Sequence, residues 1–135
     1  MNILLDTHIA LWALSDDPRL SDKARDLLTD PDNNIYFSSV SVWEILLKTS
    51  TPGNNLKLSP EEFIKYCEES GYFSLNMTTQ HIVEASKLNT SDAEEHGHKD
   101  PFDRLLIAQA KSENYSFLTH DSKLKLYHEK VVIEV

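Results

Sequence analysis

The sequence is short of residues that several classes of protein require. It contains one cysteine, Cys67, so no internal disulfide can form. The amphipathic stretch Phe63–Cys67 favours a packed thiol over a nucleophile. No apolar run approaches the ~20 residues that a membrane span needs. The N-terminus reaches a carboxylate at Asp6 without the basic region of a signal peptide. These absences favour a cytoplasmic protein with no membrane partner.

Positive charge is also scarce. The chain has 13 Lys and Arg against 22 Asp and Glu, and its formal net charge is −9. This balance argues against a broad basic surface for nucleic acid. Carboxylates that hold divalent cations present a less negative field than the formal count, so RNA could still bind through a metal site. The length of 135 residues predicts a single domain, residues 1–135.

Short apolar runs rich in β-forming residues alternate with helical patterns. The predicted strands are Ile3–Asp6, Ile35–Ser39, Tyr72–Met77, Tyr115–His120 and Val131–Val135. The predicted helices cover Ile9–Leu14, Ser21–Leu28, Val42–Leu47, Ser59–Ser70, Thr79–Leu88 and Phe102–Glu113, and a shorter one follows Asp121 as far as Tyr127. The polar stretches Thr49–Asn55 and Asn89–Lys99 are predicted as loops. This alternation predicts an α/β fold with a mostly parallel sheet that is covered on both faces.

Four carboxylates fall where such a fold binds ligands. Asp6 and Asp121 follow the carboxyl ends of predicted strands, where open parallel sheets bind ligands. Glu44 and Asp103 stand in the first turns of helices that are expected to start at the same edge. Carboxylates at close range repel one another, and Mg²⁺ or Mn²⁺ is the usual remedy. The sequence therefore predicts a metal site made of these four residues.

Each of the four also has a purely structural interpretation. Glu44 has the spacing of a capping box, and Asp103 would complement the dipole of a helix capped by Asp100. Asp6 and Asp121 could each cap the helix that follows. The two interpretations are compatible, because a helix N-terminus favours an ionised carboxylate.

The acidic residues lie in four segments that together resemble a known family. The segments are Leu4–His8 followed by Leu11–Leu14, then Ser41–Ile45, His98–Ala110 and Leu118–Asp121. In this order they resemble PIN-domain nucleases, and most closely the VapC-type toxins of bacterial toxin–antitoxin pairs. The resemblance covers nearly the whole chain. The one departure is Ser122–Tyr127, which is more basic than expected; it is either a contact for RNA or a solvated helix face.

The resemblance implies a three-layer α/β/α sandwich with a five-stranded, mostly parallel sheet. It implies a Mg²⁺- or Mn²⁺-dependent endoribonuclease that leaves 5′-phosphate and 3′-hydroxyl ends. It further implies a homodimer that is neutralised by a small cognate antitoxin. Asp6 is then the candidate for a ligand shared between metals, Asp103 and Asp121 are ligands directly or through water, and Glu44 binds metal or orients the attacking water.

Neighbouring residues admit two roles each. Thr7 and Thr119 could hydrogen-bond a ligand or water, or simply complete local turns. Asp100 could contact the metal in addition to its cap. Arg104 could contact phosphate or form an ion pair. The pair His96 and His98 is a weak zinc site without a cysteine partner, and His8 and His120 are expected to be structural. Trp12 and Trp43 are expected in the core.

Three rival functions remain. A receiver-like Mg²⁺-binding signalling domain needs a carboxylate at the end of its third strand, where this chain has Leu75–Thr78. An inactive PIN-like binding module would not need all four acidic positions. A DNA-directed nuclease shares the chemistry of the ribonuclease.

Overall fold

The structure is a computed structural model that describes residues 1–135. The strands are β1 (Asn2–Leu5), β2 (Asn34–Ser38), β3 (Phe73–Leu75), β4 (Ser116–Thr119) and β5 (Val132–Glu134). The helices are α1 (Thr7–Ser15), α2 (Asp22–Thr29), α3 (Ser39–Thr49), α4 (Pro60–Glu69), α5 (Thr79–Ser86), α6 (Ser91–Glu95) and α7 (Pro101–Glu113). A 3₁₀ helix covers Ser122–Tyr127.

The five strands form one sheet in the order β3-β2-β1-β4-β5, and every pair of neighbours is parallel. The first strand of the chain is therefore the central one. Because all strands run the same way, their carboxyl ends lie at one edge of the sheet. The prediction of a five-stranded, mostly parallel α/β fold is confirmed.

Apolar side chains cover both faces of this sheet. Successive residues of a strand point to opposite faces, and β1 sends Ile3 and Leu5 into one cluster and Leu4 into the other. The first cluster includes side chains of α1, α2, α3 and α4, such as Phe63 of α4. The second includes side chains of α6, α7 and the 3₁₀ helix, such as Leu106 of α7. The three-layer arrangement is thus confirmed.

One predicted loop contains a helix. Within Asn89–Lys99 the chain forms the five-residue helix α6, whose Ala93 is completely buried. Ala93 is the one apolar side chain in a polar stretch, so periodicity carried no signal. The helix is held by tertiary packing against the 3₁₀ helix.

Local signals placed other boundaries correctly. Ser59 accepts a hydrogen bond from the Glu62 amide at 3.1 Å, and Glu62 Oε1 accepts one from the Ser59 amide at 3.1 Å, which completes the capping box before α4. Cys67 of α4 is fully buried, and this burial raises the pKa of its thiol to about 12, as befits a packed side chain. No helix has both the length and the apolar character needed to cross a membrane.

Candidate active site

The central strands bring Asp6 and Asp121 to the same edge of the sheet. β1 ends at Leu5, and the Asp6 amide donates a further hydrogen bond to the Leu118 carbonyl at 2.9 Å. β4, the parallel neighbour of β1, ends at Thr119, two residues before Asp121. Both carboxylates therefore stand beyond adjacent strand ends, where the sequence predicts the site.

Asp103 lies at the centre of the acidic group. It stands in the first turn of α7 and is largely buried. Burial, together with the negative charges of Asp6, Asp100, Glu44 and Asp121, raises the pKa of Asp103 far above its usual range. The structure thus brings Asp6, Glu44 and Asp121 close enough to Asp103 for their charges to act on it.

This arrangement fits a hard divalent cation. Several carboxylates that share a partly desolvated space repel one another, and a cation removes the repulsion. Carboxylate oxygens are the donors that Mg²⁺ and Mn²⁺ favour. Asp6, Glu44, Asp103 and Asp121 are the residues that could hold such an ion.

Asp6 is held by a threonine and does not cap a helix. The residue is 2% exposed, and the Thr119 hydroxyl donates to its Oδ2 at 2.7 Å. Asp6 occupies the N-cap position of α1, yet its side chain accepts no hydrogen bond from that helix. The capping interpretation of Asp6 is therefore wrong. Thr119 also accepts the Asp121 amide at 3.1 Å, so one hydroxyl orders two acidic residues.

Glu44 is buried in the second turn of α3, one turn later than predicted. α3 begins at Ser39 and is capped by the Ser38 side chain, so the capping interpretation of Glu44 is also wrong. Glu44 Oε2 instead lies 2.8 Å from Lys48 Nζ, one turn along the helix. Thr7 contacts no acidic residue through its hydroxyl, which pairs with the Ser41 hydroxyl at 2.8 Å and joins α1 to α3.

Asp100 and Asp121 are both helix caps. Asp100 Oδ1 accepts the Phe102 and Asp103 amides at 2.8 and 3.3 Å, as the sequence predicted for α7. Asp121 Oδ1 accepts the Lys123 amide at 2.9 Å at the start of the 3₁₀ helix. Since this cap uses Oδ1 of Asp121, Oδ2 is still available to bind a cation.

His98 is a member of the site, whereas the sequence suggested for it only a weak zinc site shared with His96. It is 7% exposed, and its Nε2 lies 3.1 Å from Asp103 Oδ2 and 3.9 Å from Asp121 Oδ2. Its Nδ1 lies 2.7 Å from the Tyr127 hydroxyl. His96 instead bonds the Asp92 carbonyl, so the two histidines do not converge on one ion. The available signal was the place of His98 two residues before the α7 cap.

Arg104 follows the ion-pair alternative. Its Nη2 lies 3.2 Å from Glu94 Oε1, and its Nε donates to the Tyr127 hydroxyl at 3.0 Å. The Arg104 guanidinium is therefore bonded to groups of the protein itself.

Aromatic and histidine side chains surround the acidic edge. Burial alone would lower the pKa of His8, but its hydrogen bond to Asp6 and nearby negative charges raise it overall. The rings of His8 and His120 both pack edge-on against Trp12. Their centroids lie 4.9 and 5.3 Å, respectively, from that of the Trp12 ring. Trp12 is half-buried, whereas Trp43 is 46% exposed and packs against Phe102. The expectation that Trp43 belongs to the core is wrong.

Comparisons with known proteins agree with this architecture. The PIN domain family model matches residues 3–130. The VapBC2 structure from Rickettsia felis, bound to a promoter DNA fragment, is similar at 19% identity and a TM-score of 0.68, over 100% of this chain and 98% of that chain. VapBC-1 from nontypeable Haemophilus influenzae is similar at 16% identity and a TM-score of 0.66, over 99% of this chain and 98% of that chain. FitAcB from Neisseria gonorrhoeae is similar at 20% identity and a TM-score of 0.59, over 98% of this chain and 96% of that chain.

At these identities the structures show a shared fold. Among curated protein sequences no significant match was found. The family model nevertheless covers all four acidic segments, and the parallel sheet carries their carboxylates to one edge. The chain therefore belongs to the PIN-domain family.

Proposed function

We propose that the chain is a Mg²⁺- or Mn²⁺-dependent endoribonuclease whose catalytic residues are Asp6, Glu44, Asp103 and Asp121. The observation that carries this proposal is the acidic group around Asp103, in which burial and like charges oppose ionisation. Such an arrangement opposes stability, and it is typical of sites kept for a ligand. Membership of the PIN-domain family supports a nuclease as the class of enzyme.

The proposed reaction is hydrolysis of an RNA phosphodiester. Water attacks the phosphorus, the bond to the 3′-oxygen breaks, and the products carry 5′-phosphate and 3′-hydroxyl ends. A bound cation would supply positive charge next to the phosphate and would lower the pKa of water at the site.

The side chains of the site have different tasks in this reaction. Asp6, which the Thr119 hydroxyl holds at the end of β1, and Asp103, in the first turn of α7, would offer carboxylate oxygens to the cation. Asp121 would add its second carboxylate oxygen, since its Oδ1 accepts the Lys123 amide. Glu44 either joins this set or orients the attacking water, and Lys48 holds one of its oxygens in place.

We further propose that the enzyme is the toxin of a type II toxin–antitoxin pair and acts on RNA in the cytoplasm. Support comes from the VapBC complexes among the similar structures. A groove of about 400 Å³ offers an apolar anchor for a small antitoxin. It is lined by Leu11, Trp12 and Leu14 of α1, by Leu56 and Leu58, and by Tyr66 of α4. Other apolar residues of the first two helices do not line this groove: Ile9, Leu27 and Leu28. Ile9 is buried in the core.

A homodimer is part of the same proposal. α3 exposes Trp43, Leu46 and Leu47, each more than two-fifths accessible. An adjoining groove of about 410 Å³ lies between α3 and α4. Exposed apolar surface of this kind supports association of two copies of the chain. Light scattering on the purified protein measures its oligomeric state.

Cleavage of a defined RNA tests the nuclease. We expect turnover with Mg²⁺ or Mn²⁺ and none in excess EDTA, because the carboxylates alone supply no positive charge. Asp6→Asn and Asp103→Asn should each lower the rate at least ~100-fold, since both remove a charged ligand. Sequencing of the product ends should find 5′-phosphates.

Asp26→Asn is the matched control, because Asp26 is an exposed carboxylate on α2 and is not among the charges that act on Asp103. It should cleave at the wild-type rate. Full activity in EDTA would contradict the metal mechanism. A folded chain that cleaves no RNA with either metal would favour the inactive binding module, and cleavage of DNA alone would favour the DNA-directed nuclease.

A further inference from the structure

We propose that His98 is a positioning residue for Asp103. In this assignment its Nε2–H fixes one oxygen of the Asp103 carboxylate, and Tyr127 and Arg104 hold the His98 ring in that orientation. The inference rests on the proposed function, because it takes Asp103 as a residue of the cation site.

The geometry of His98 leaves its ring little freedom. His98 is 7% exposed and packs edge-on against the Tyr127 ring, with centroids 5.4 Å apart and an angle of 86° between the planes. Tyr127 is 1% exposed and comes from the 3₁₀ helix, whereas Asp103 comes from α7. His98 therefore bridges two elements at the acidic edge.

The direction of the hydrogen bonds follows from the one group that can only donate. An Arg guanidinium has no acceptor, so the Arg104 Nε donates to the Tyr127 oxygen at 3.0 Å. The Tyr127 hydroxyl hydrogen then needs an acceptor, and His98 Nδ1 at 2.7 Å supplies it. The ring hydrogen of His98 is therefore on Nε2, which faces Asp103 Oδ2 at 3.1 Å. Donors run in sequence from Arg104 through Tyr127 and His98 to Asp103.

This tautomer decides between two roles of His98. The nitrogen and carboxylate oxygens of His98, Asp103 and Asp121 lie within 4.8 Å of one another, a spacing that would suit a shared ion. A nitrogen that carries a hydrogen has no lone pair for a metal, so His98 acts on the carboxylate. At 3.9 Å, Asp121 Oδ2 is beyond hydrogen-bond distance from Nε2, so Asp103 is the group that His98 orients.

The chain places further contacts behind this sequence of donors. The Arg104 Nη2 donates to the His98 carbonyl at 3.2 Å and to Glu94 of α6 at 3.2 Å. Arg104 also follows Asp103 directly on α7. Arg104, which begins this sequence of donors, and Asp103, which ends it, therefore lie on the same helix.

Two substitutions of His98 separate the hydrogen-bond donor from the rest of the ring. In His98→Gln the amide nitrogen reaches the position of Nε2 and can still donate to Asp103. In His98→Asn the amide reaches only the position of Nδ1, so the contact with Tyr127 is kept and the contact with Asp103 is lost. Tyr127→Phe removes the hydroxyl that orients the ring.

The first readout is the affinity of the RNA-free protein for Mn²⁺, which titration calorimetry measures. His98→Asn should weaken Mn²⁺ binding about 10–100-fold, the usual effect of losing a group that orients a metal ligand. His98→Gln should stay within about threefold of the wild type, and Tyr127→Phe should fall between them. On RNA, His98→Asn should lower kcat with KM for RNA unchanged, because the RNA contacts remain.

Two remote residues provide matched controls. His81 is a buried histidine whose Nε2 lies 2.9 Å from Glu113, and Glu113 is ten residues, or about 15 Å of helix, beyond Asp103. Tyr115 is a half-buried tyrosine before the amino end of β4, at the opposite edge of the sheet. His81→Asn and Tyr115→Phe should keep the wild-type affinity for Mn²⁺, and melting temperatures show that every variant folds.

Three results would overturn the assignment. The first is wild-type affinity for Mn²⁺ in folded His98→Asn, and the second is equal loss in His98→Gln and His98→Asn. The third is nitrogen coupling to bound Mn²⁺ by pulsed electron paramagnetic resonance, present in the wild type and absent in His98→Asn, which would make His98 a direct ligand.

The two proposals fail in different ways. Loss of Mn²⁺ affinity in His98→Asn but not in His98→Gln, with no RNA cleavage by the wild type, supports the positioning role and contradicts the nuclease. Cleavage by the wild type with unchanged Mn²⁺ affinity in His98→Asn does the reverse. A wild type that binds no Mn²⁺ overturns both.

Discussion

At the scale of single residues, the environment of Asp103 opposes ionisation of its carboxyl group. Its carboxylate is largely buried beside three other acidic groups of the site, and Asp100 of the same helix adds a fourth negative charge. Its partner His98 donates one hydrogen bond and contributes no full charge in the tautomer assigned above. Ionisation of Asp103 therefore opposes folding when no cation is bound.

Asp103→Asn should stabilise the metal-free protein for this reason. The amide keeps the shape and an oxygen that can accept from His98, and it removes the repulsion. We expect a higher melting temperature in EDTA, by about 3–5 °C for each kcal/mol gained at this chain length. Differential scanning calorimetry in EDTA measures it, with Asp26→Asn as the control. A clear fall in melting temperature would contradict the repulsive environment.

At the scale of elements, the strand ends and helix starts decide which carboxylates can meet. β1 runs directly into α1 through Asp6, and β2 runs into α3 with no intervening residue. The caps of α7 and of the 3₁₀ helix are Asp100 and Asp121. Asp121 therefore both caps a helix and belongs to the acidic group. The hydrogen bonds that the Asp100 side chain accepts both come from amides in the first turn of α7, so its observed role is the cap.

Substitutions of Asp100 separate its cap from its charge. Asp100→Asn keeps a cap oxygen, so we expect unchanged stability and Mn²⁺ affinity within about threefold of the wild type. Asp100→Ala removes the cap and should lower the free energy of unfolding by about 1 kcal/mol. Urea unfolding and calorimetry measure the two quantities. A tenfold or larger loss of Mn²⁺ affinity in Asp100→Asn would instead make Asp100 a metal contact.

At the scale of the whole molecule, the protein combines a net negative charge and an acidic edge of the sheet with an apolar groove beside Trp12. The net charge of −9 favours a basic partner. A peptide that places an Arg against the acidic group would match its carboxylates and compete with the cation. In the proposed complex, the groove beside Trp12 of α1 would supply the apolar part of the interface.

Expression in cells tests this proposed partner. Expression of the chain alone should stop growth, and co-expression of a small neighbouring gene product should restore it. Removal of a basic and apolar C-terminal tail from that product should remove the rescue. Asp103→Asn expressed alone is the control and should be harmless. Harmless expression of an active wild-type nuclease would refute the toxin role and leave the nuclease standing.

Much of this protein follows from local sequence patterns. The alternation of short apolar runs with amphipathic helices predicts the parallel sheet, because each run buries itself only when helices cover both faces. Carboxylates placed just after strands or at helix starts predict the acidic edge. The capping box at Ser59 and the cap at Asp100 were also readable, since a cap depends on residues within three or four positions.

Contacts between distant segments are beyond the reach of such patterns. Whether Asp6 caps α1 or accepts from Thr119 depends on the pairing of β1 with β4, which are more than one hundred residues apart. His98 gains its role only when the 3₁₀ helix brings Tyr127 against it, 29 residues later in the chain. The sequence alone therefore predicts which residues carry charge and where the strands end. Folding determines which charges meet and which donors hold them, because a hydrogen bond over 3 Å requires both partners to be placed by packing.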